Sequence, residues 1–592
     1  MALQTELNIK IGALKINTFK NLSLSQDIDE HHFLILECRE DEISLQNPGL
    51  KGNYHQLIGE TILVSMQGID RMFSTHSGYF KGIITGVKAQ NINDSSGKRL
   101  QFKAYSPTIL MDNGPESSSF LKKDLVDIVH DTTRLYDQQL LKIKKDPLKL
   151  PVYPYVVQYN ESDYHFIQRM CSRQGEWFYY NGTELIIGQE NTGEEIMLHY
   201  GYNLSHYDFE MSLQPTRFKY HSNDLSEGES HQSMTKEYEN GVNGIAAELV
   251  KSSGRVFSKE TIAQHNQLVN EGSGKVDMDN FAQLNFQKKV ANMIFVNGSS
   301  ENPAIRPGAV VRILDEDGSS QGIFKVISAT HYCTDTGDYN NNFRAVPVAV
   351  EVSPFSRPGE YPRCESQPAV VKENNDPKGL GRIKVQMAWQ KENAQTTDWI
   401  PLASPHGGSG KGFHFIPEIG ENVMVDFQSG NAELPYVTGS VHHNQAKSGY
   451  HDPDNNLKAI RSRSGNKMVF DDKAGSTTIT DKGSASMEMD GAGTTTITTA
   501  AKQLINVGGE EGGPANSSMS MDSDGNVEIK ANTKITFIIG ESKIEITGTQ
   551  IKVTSDDILV DGKSQATIKG TDSAQAVFNG IAKIKGSQVD IN

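Results

Sequence analysis

The chain has 592 residues, enough for three or four domains with ample core. Its 57 basic and 73 acidic side chains leave a net charge of -16, which speaks for a soluble surface and against general nucleic-acid binding. Four distant cysteines (Cys38, Cys171, Cys333, Cys364) form no CxxC pair, and Met1 to Lys10 lacks a signal-peptide pattern, so free buried thiols and assembly in the cytoplasm are expected, with any later export independent of a cleaved signal.

Residues 5 to about 110 read as short strands separated by turns, among them Phe33 to Cys38, Glu60 to Ser65 and Gly82 to Val87, a spacing that suits a barrel or sandwich. From Phe120 to Lys145 the apolar spacing turns helical (Leu121, Leu125, Ile128, Val129, Leu135), and Pro147 ends the run. A strand at Val156 to Glu161 is followed by Ser162 as N-cap and a helix with Phe166, Ile167 and Met170 inward, which Gly175 stops. Trp177 to Tyr180 forms the next strand, with its aromatic cluster in the core. Residues 220 to 275 are polar and give no clear strands. Asp279 to Ile294 reads as a helix with Phe281, Leu284 and Val290 on one side, then strands follow at Ala309 to Leu314 and Ile323 to Ile327. The proline-rich stretch from Ser353 to Pro368 marks a domain boundary.

Residues 368 to 449 carry five short strands in a compact unit, which fits a small OB-type barrel. Such barrels often bind oligonucleotides, but seven basic and eight acidic side chains with no dense aromatic face make that reading weak here. From Ile460 to Asn592 the composition changes to 16 Ile, 15 Thr and 16 Gly with one proline and no Trp, Tyr or Cys. Apolar and polar residues alternate, and the pattern restarts every seven residues: Ile544, Ile551 and Ile558 form one series, and Ile546, Val553 and Val560 another. The series goes on less regularly to Ile568 and then through Ile584, Val589 and Ile591. Alternation at period two means strands with one buried face. Strands this short bury too little alone, so the pattern predicts three identical chains wound into an intertwined trimeric β-helix, a β-prism needle with these residues as its core. The interruption Gly508 to Pro514 reads as an outward loop.

Three groups of residues resemble the valine-glycine repeat (VgrG) spike family of type VI secretion systems, itself related to the hub and central spike of contractile phage tails. One is Gln158 to Asp163 with the following helix and Gly175 to Tyr180. The second is Asn342 to Pro347 followed by Arg357-Pro358. The third is the OB segment, with Asp376 to Arg382, Trp399, Pro417 to Val423 and Pro435 to Val441. The resemblance implies a mainly β fold with some helices, an α+β hub. Residues 1–365 would form two barrel-like hub domains with helical insertions, 366–449 an OB-fold collar, and 450–592 the spike. It implies a homotrimer whose hub sits on a hexameric inner-tube protein among baseplate components. A tip protein of the proline-alanine-alanine-arginine (PAAR) repeat type would cap the far end, and effectors or their adaptors would ride on the spike. The blunt C-terminal end, Gln588, Val589, Asp590, Ile591 and Asn592, is the candidate docking surface for that tip protein, and contact with the target membrane is transient. A phage tail or extracellular injection particle has the same motifs, and a tail-spike enzyme acting on glycans is the alternative from another class.

Little catalytic chemistry is expected. Only about ten residues separate Gly449 from the next strands, too few for an inserted enzyme, and the chain ends on the repeat. His442-His443 has no third ligand at zinc-like spacing, so no metal is expected. Asp471-Asp472 and Asp556-Asp557 are neighbours whose side chains point to opposite faces of a strand, which suits solvated corners better than a catalytic pair. No glycine-rich loop precedes a helix in the way phosphate binding requires, so no cofactor is expected.

Overall fold

The computed structural model describes residues 4–69, 77–91, 97–190, 195–224, 227–267, 274–509 and 513–590. The chain divides into two compact units, Met1–His442 and His443–Asn592.

In the first unit the hub begins with β1 (Gln4–Ile11), β2 (Leu14–Ile16), β3 (Asn21–Asp27), β4 (Phe33–Arg39) and a short α1 (Glu40–Ser44). β5 (Thr61–Ile69), β6 (Ser77–Asn91), β7 (Lys98–Tyr105) and β8 (Glu116–Lys123) follow, then α2 (Leu125–Thr133), β9 (Ile143–Asp146), β10 (Tyr153–Glu161) and α3 (Asp163–Gln174). β11 (Phe178–Tyr180), β12 (Leu185–Gly188), β13 (Ile196–His199) and β14 (Leu204–Met211) lead into a small subdomain. That subdomain contains β15 (Phe218–Asp224), β16 (Glu229–Met234), α4 (Gly244–Val256), β17 (Thr261–Gln264) and α5 (Gly274–Ala291). β18 (Ile294–Ser300), β19 (Val310–Leu314), β20 (Ser320–Thr334) and β21 (Tyr339–Pro347) complete the hub.

Where the sequence predicts two barrel-like hub domains, the structure has one continuous ladder. Thirteen strands form a single sheet in which β1 to β7 make one half and β13, β14 and β18 to β21 the other, joined where β20 pairs antiparallel with β3. Strand alternation sets the core: on β4, Leu34, Leu36 and Cys38 are buried and meet Ile9, Ile11, Leu22, Leu24, Phe102 and Phe80. The second half has its own cluster around Val296, Val311, Ile313, Phe324 and Phe343.

Two helix expectations change. The run from Phe120 to Lys145 is not one helix: Phe120 and Leu121 lie on β8, the helix spans only Leu125–Thr133, Leu135 is exposed, and Ile143–Asp146 is a strand. Pairing decides it, because β8 is held by β10 with Phe120 opposite Val156, and Asp124 then caps α2 by accepting a hydrogen bond from the Asp127 N–H at 2.9 Å. α5 starts earlier than expected and is packed on more than one side. Met278 and Ala282 meet Tyr220, Phe286 meets Val250 and Met293, and Phe281 and Val290 are only half-buried.

The OB unit has β22 (Gln367–Glu373), β23 (Lys384–Met387), a small hairpin of β24 (Gly407–Gly408) and β25 (Lys411–Gly412), β26 (Asn422–Phe427) and β27 (Pro435–Ser440). Its main sheet runs β23-β22-β26-β27, with Ile383 bridged to Ile400 and Leu402 to Val437. No helix among the described residues is long and apolar enough to cross a membrane.

The second unit is a series of antiparallel hairpins. β28 (Leu457–Arg461), β29 (Lys467–Asp471), β30 (Ser476–Thr480), β31 (Ser486–Met489) and β32 (Thr495–Thr498) form one sheet. β33 (Lys502–Val507), β34 (Ser517–Asp522) and β35 (Val527–Ala531) form a second, and β36 (Lys534–Ile539), β37 (Ser542–Thr547) and β38 (Ile551–Thr554) a third. Aspartates hold the corners. Asp490 accepts from the N–H of Ala492 and Thr494, and Asp522 from Asp524 and Asn526, which keeps both carboxyls below the usual range. Asp471 does the same for Lys473 and Ala474, so it serves a corner, as its sequence position suggests. The sequence reading assigned these strands to partners in other chains; within one chain, residues 457–554 pair instead with their own sequence neighbours, because a tight turn closes a hairpin with little loss of entropy. Residues 555–590 join no ladder in the single chain.

α3 carries the strongest local signals in the hub. Ser162 accepts from the His165 N–H at 3.3 Å, and Gly175 ends the helix in the left-handed region at φ +79°. A Cβ on Gly175 would lie 2.4 Å from Leu284 Cδ2. Gly175→Ala is therefore expected to cost about 1–3 kcal/mol through strain and overpacking, read as a lower midpoint of hub unfolding; an unchanged midpoint would mean that this cap is not under tension.

Candidate functional site: the hub–OB junction and the exposed C-terminal faces

β10 is covered on both sides. Val156 lies in the hub core, while Tyr155 and Val157 pack with Val371, Ile383, Val385, Val423 and Val425 of the OB barrel. This double burial accounts for the unbroken apolar run before Gln158. Beside it, the inward face of α3 holds Phe166, Ile167 and Met170, as expected, but also Arg169.

Arg169 is the centre of a charge cluster that the sequence reading missed. Its guanidinium donates to Glu161 Oε1 at 2.7 Å and to the Val157 carbonyl at 2.8 Å, and lies 3.5 Å from Glu433 Oε1. Glu433, on the loop between β26 and β27, also accepts from Arg173 at 2.6 Å, and its side chain is 0% exposed. Burial opposes the charge on Arg169, yet the two carboxylates outweigh it and hold the guanidinium above its ordinary pKa. Two cations and two anions leave the cluster neutral, with the charged hydrogen bonds that make a buried arrangement tolerable. Nearby, Gln390 donates to Ser119 Oγ at 2.9 Å, Gln395 donates to Ser118 Oγ at 2.8 Å and accepts from the Ser119 N–H, and Asn431 donates to the Asn266 carbonyl. The signal that could have shown this was an arginine one turn after Phe166 on an inward face, and a glutamate between Ala432 and Leu434.

The OB turn from Asp376 to Arg382 has a comparable physical basis. The Asp376 carboxylate takes the N–H groups of Lys378, Leu380 and Arg382 and a two-pronged contact with the Arg382 guanidinium, so its pKa lies far below the usual range, the arginine being the largest cause. Arg344, from the second hub motif, pairs with Glu210 at 2.8 Å and lies over the Phe295 ring.

In the second unit, cross-strand pairing gathers apolar residues on one face of each sheet. Ile535 and Phe537 face the same way as their partners Ile546 and Ile544, and these as Ile551 and Val553. The structure thus brings together four of the ten expected core residues, Ile544, Ile546, Ile551 and Val553, while Lys534, Thr536, Glu545 and Lys552 take the opposite face. The second sheet puts Ile505, Met519, Met521, Val527 and Ile529 on one face, and the first Ile460, Met468, Phe470, Ile479, Met487 and Ile497. In the single chain these faces are open to solvent: Phe537 is 50% exposed and Ile551 69%. Ile558, Val560, Ile568, Ile584 and Val589 are exposed and outside any ladder, so the structure does not bring them together. Of the expected docking residues, Gln588 donates to the Asp590 carboxylate at 3.0 Å, whereas Ile591 and Asn592 lie outside the described residues. The loop expected at Gly508 to Pro514 falls partly outside them too, at 510–512. His443 closes a turn with Ala446, and no cluster of three His, Cys, Asp or Glu side chains able to hold a metal is found among the described residues.

A thirteen-stranded hub sheet joined to an OB barrel places the chain with proteins of the phage-baseplate hub class. The chain belongs to the phage tail baseplate hub (GPD) family, whose model matches residues 42–337, half of its length, and it is of the VgrG spike type. The type VI secretion system/phage-baseplate injector OB domain matches residues 367–442. The chain is 24% identical over 368 residues to the type VI secretion system spike protein VgrG4b of Pseudomonas aeruginosa, covering 53% of this chain and 42% of that protein. It is 22% identical over 377 residues to the actin cross-linking toxin VgrG1 of Vibrio cholerae, covering 54% of this chain and 32% of that protein. The aligned part thus spans less than half the length of these curated relatives. Its fold is similar to a chain of the Francisella PdpA–VgrG complex in the lidded form, with a TM-score of 0.53 at 10% identity, covering 89% of this chain and 80% of that one.

Removing one member of the buried cluster leaves the others uncompensated. Glu433→Ala is expected to destabilise the first unit by about 3–5 kcal/mol, against near neutrality for the exposed Glu248→Ala on α4, measured by denaturant unfolding. The Asp376–Arg382 contact stabilises the OB barrel at pH values above the ordinary carboxylate range and is lost as pH falls through it. Asp376→Asn should therefore cost stability at neutral pH and progressively less in acid. Equal cost at both would show that the charge is not what matters.

Proposed function

We propose that this chain is one third of a homotrimeric spike in a contractile injection machine of the type VI secretion kind, with a structural rather than a catalytic task. The observation that carries this reading is the bare apolar face on each of the three C-terminal sheets. A soluble protein rarely leaves such faces open, and two further copies of the same chain offer matching faces along the whole length. Residues 450–592 then form the needle, with Ile544, Ile546, Ile551, Val553, Ile558, Val560, Ile568, Ile584, Val589 and Ile591 towards the axis. Residues 555–590 take their hydrogen bonds from the other chains, as strand backbone must find partners when it is buried.

In this arrangement the hub, residues 1–365, caps a hexameric inner tube and touches baseplate components, and the OB barrels, 366–449, form a collar. A PAAR-type tip protein docks on residues Gln588 to Asn592, effectors or their adaptors ride with the spike, and contraction drives the whole through a target membrane without a cofactor. Assembly takes place in the cytoplasm and release needs no cleaved signal. The buried junction suits the mechanical task, because a thrust on the OB barrel reaches the hub through packed side chains and charged hydrogen bonds.

Light scattering should give a mass about three times 65.3 kDa. A stable monomer with full strand content would overturn the needle. Ile551→Asp brings three carboxylates together at the axis and is expected to prevent trimer formation, while Lys552→Asp, on the opposite face, is expected to be near neutral. Equal effects would mean that the assigned face is wrong. Deleting Gln588 to Asn592 should abolish capture of the tip protein and leave the trimer intact; full-affinity capture by the truncated trimer would place docking elsewhere.

A further inference from the structure

The two halves of the hub sheet are joined by one strand pair, β3 with β20, running from Asp27 opposite Ser328 to Asn21 opposite Thr334. Behind this seam lies a line of buried polar side chains that comes from both halves. Gln26 is on β3, His32 just before β4, His331 on β20, and Tyr339 and Asn341 on β21; each is at most 5% exposed.

Their hydrogen bonds have one direction only. The Asn302 carbonyl can only accept, so the amide of Asn341 points its NH2 at it, at 2.8 Å, and the same NH2 donates to the Tyr339 hydroxyl oxygen at 3.0 Å. The Tyr339 hydrogen must then go to His331 Nδ1 at 2.6 Å, which leaves the other ring hydrogen on Nε2, donating to Gln26 Oε1 at 2.9 Å. Gln26 Nε2 in turn donates to His32 Nδ1 at 3.2 Å. Every tautomer follows from the carbonyl at one end.

Such a line has no room for an extra proton. A hydrogen on His32 Nδ1 would face the Gln26 NH2, and turning that amide over would face it against the His331 Nε2–H. A hydrogen on His331 Nδ1 would displace the Tyr339 hydroxyl hydrogen from its acceptor. The groups around the rings agree with this. His32 has His31, His331 and Arg306 about it and the edge of the Tyr180 ring, and only the Asp27 carbonyl favours its charge; burial, the largest cause, holds it neutral. His331 has Tyr339 and Gln26 beside it and burial again keeps it neutral.

We propose that this line is an acid-sensitive latch: a proton on His32 or His331 breaks it and loosens β3 from β20 ahead of the rest of the hub. The sign is fixed by the ring pKa values, about 3 for His32 and about 4 for His331 when closed and near the ordinary 6.5 when opened. The opened form binds protons first, so the latch is intact above 6.5 and weakens as pH falls from there to about 4. Asp27 and Asp29 act in the opposite sense. Both are raised by burial, Asp29 to about 6, and so hold protons in the closed form.

The test is hydrogen exchange by mass spectrometry on the full-length assembled protein at about pH 7.5 and about pH 5, corrected for intrinsic rates. Protection of residues 21–27 and 328–334 should fall by roughly tenfold or more at the lower pH, while β1 and β5 change little. Unchanged protection at the seam, or an equal loss on β1 and β5, overturns the latch. His331→Gln should weaken the pH response of the seam and the double substitution His32→Gln with His331→Gln should flatten it, whereas His265→Gln, at a buried histidine outside the line, should leave it, and Asp27→Asn, which removes an opposing carboxyl, should steepen it; a response that survives the double substitution overturns the proposal. Should the double substitution fail to fold, exchange at the histidine ring C2–H in the unaltered protein decides. Both rings titrating well below 5 supports the latch, and values near 6.5 overturn it.

Discussion

The structure of the first unit depends on a strand and a helix that serve two cores at once. β10 gives Val156 to the hub and Tyr155 and Val157 to the OB barrel, and α3 runs alongside with Arg169 turned inward. Apolar packing alone is tolerant of sliding, since one aliphatic contact is much like the next. Charged hydrogen bonds are not. Glu433 sits between Arg169 and Arg173 with no exposure, and any shift of the OB barrel against the helix would leave charges unpaired in a dry site. The cluster therefore sets the register of the two parts, and the glutamine-to-serine bonds at Ser118 and Ser119 keep it from the other side.

The second unit is governed by the opposite circumstance, a shortage of partners. Strands of four to six residues, as in β31 to β38, bury little by themselves, so each sheet shows an apolar face to solvent in the single chain. The material of the faces also changes along the chain. Met468, Met487, Met489, Met519 and Met521 occur in the first two sheets, whereas the third has no methionine on that face and is mostly Ile, Val and Phe. Flexible methionine fills irregular spaces, while β-branched residues suit a regular stacked strand. The third sheet thus has the stiffer apolar face of the three.

Some of the polar groups buried in the hub come as connected sets that keep geometry. Glu190, Arg306, Tyr179 and Asn181 form one, with the guanidinium 3.0 Å from the carboxylate; the histidine line at the seam is another. Isolated buried polar groups would cost more than they contribute, and connected ones fix a single arrangement of the strands around them.

Much of this was legible in the order of residues, wherever the determining forces act between near neighbours. Ser162 and Gly175 bound α3 because a side-chain oxygen and a left-handed backbone are local needs. The alternation of Ile544, Ile546, Ile551 and Val553 put them on one face because the strand period is two, whichever strands they pair with. The family motifs were legible as well, and Asp376 shows why one of them takes its form: a single carboxylate organises the whole turn. What tertiary structure alone decided were choices between near-equal local options and contacts between distant parts. Phe120 and Leu121 fit a helix by spacing and became a strand because β10 offered an edge. Arg169 meets Glu433 across 264 positions, and His331 meets Gln26 across 305. No periodicity carries such meetings. A charged or polar residue is stable in a buried place only when its partner arrives there too, and that arrival is a property of the folded chain.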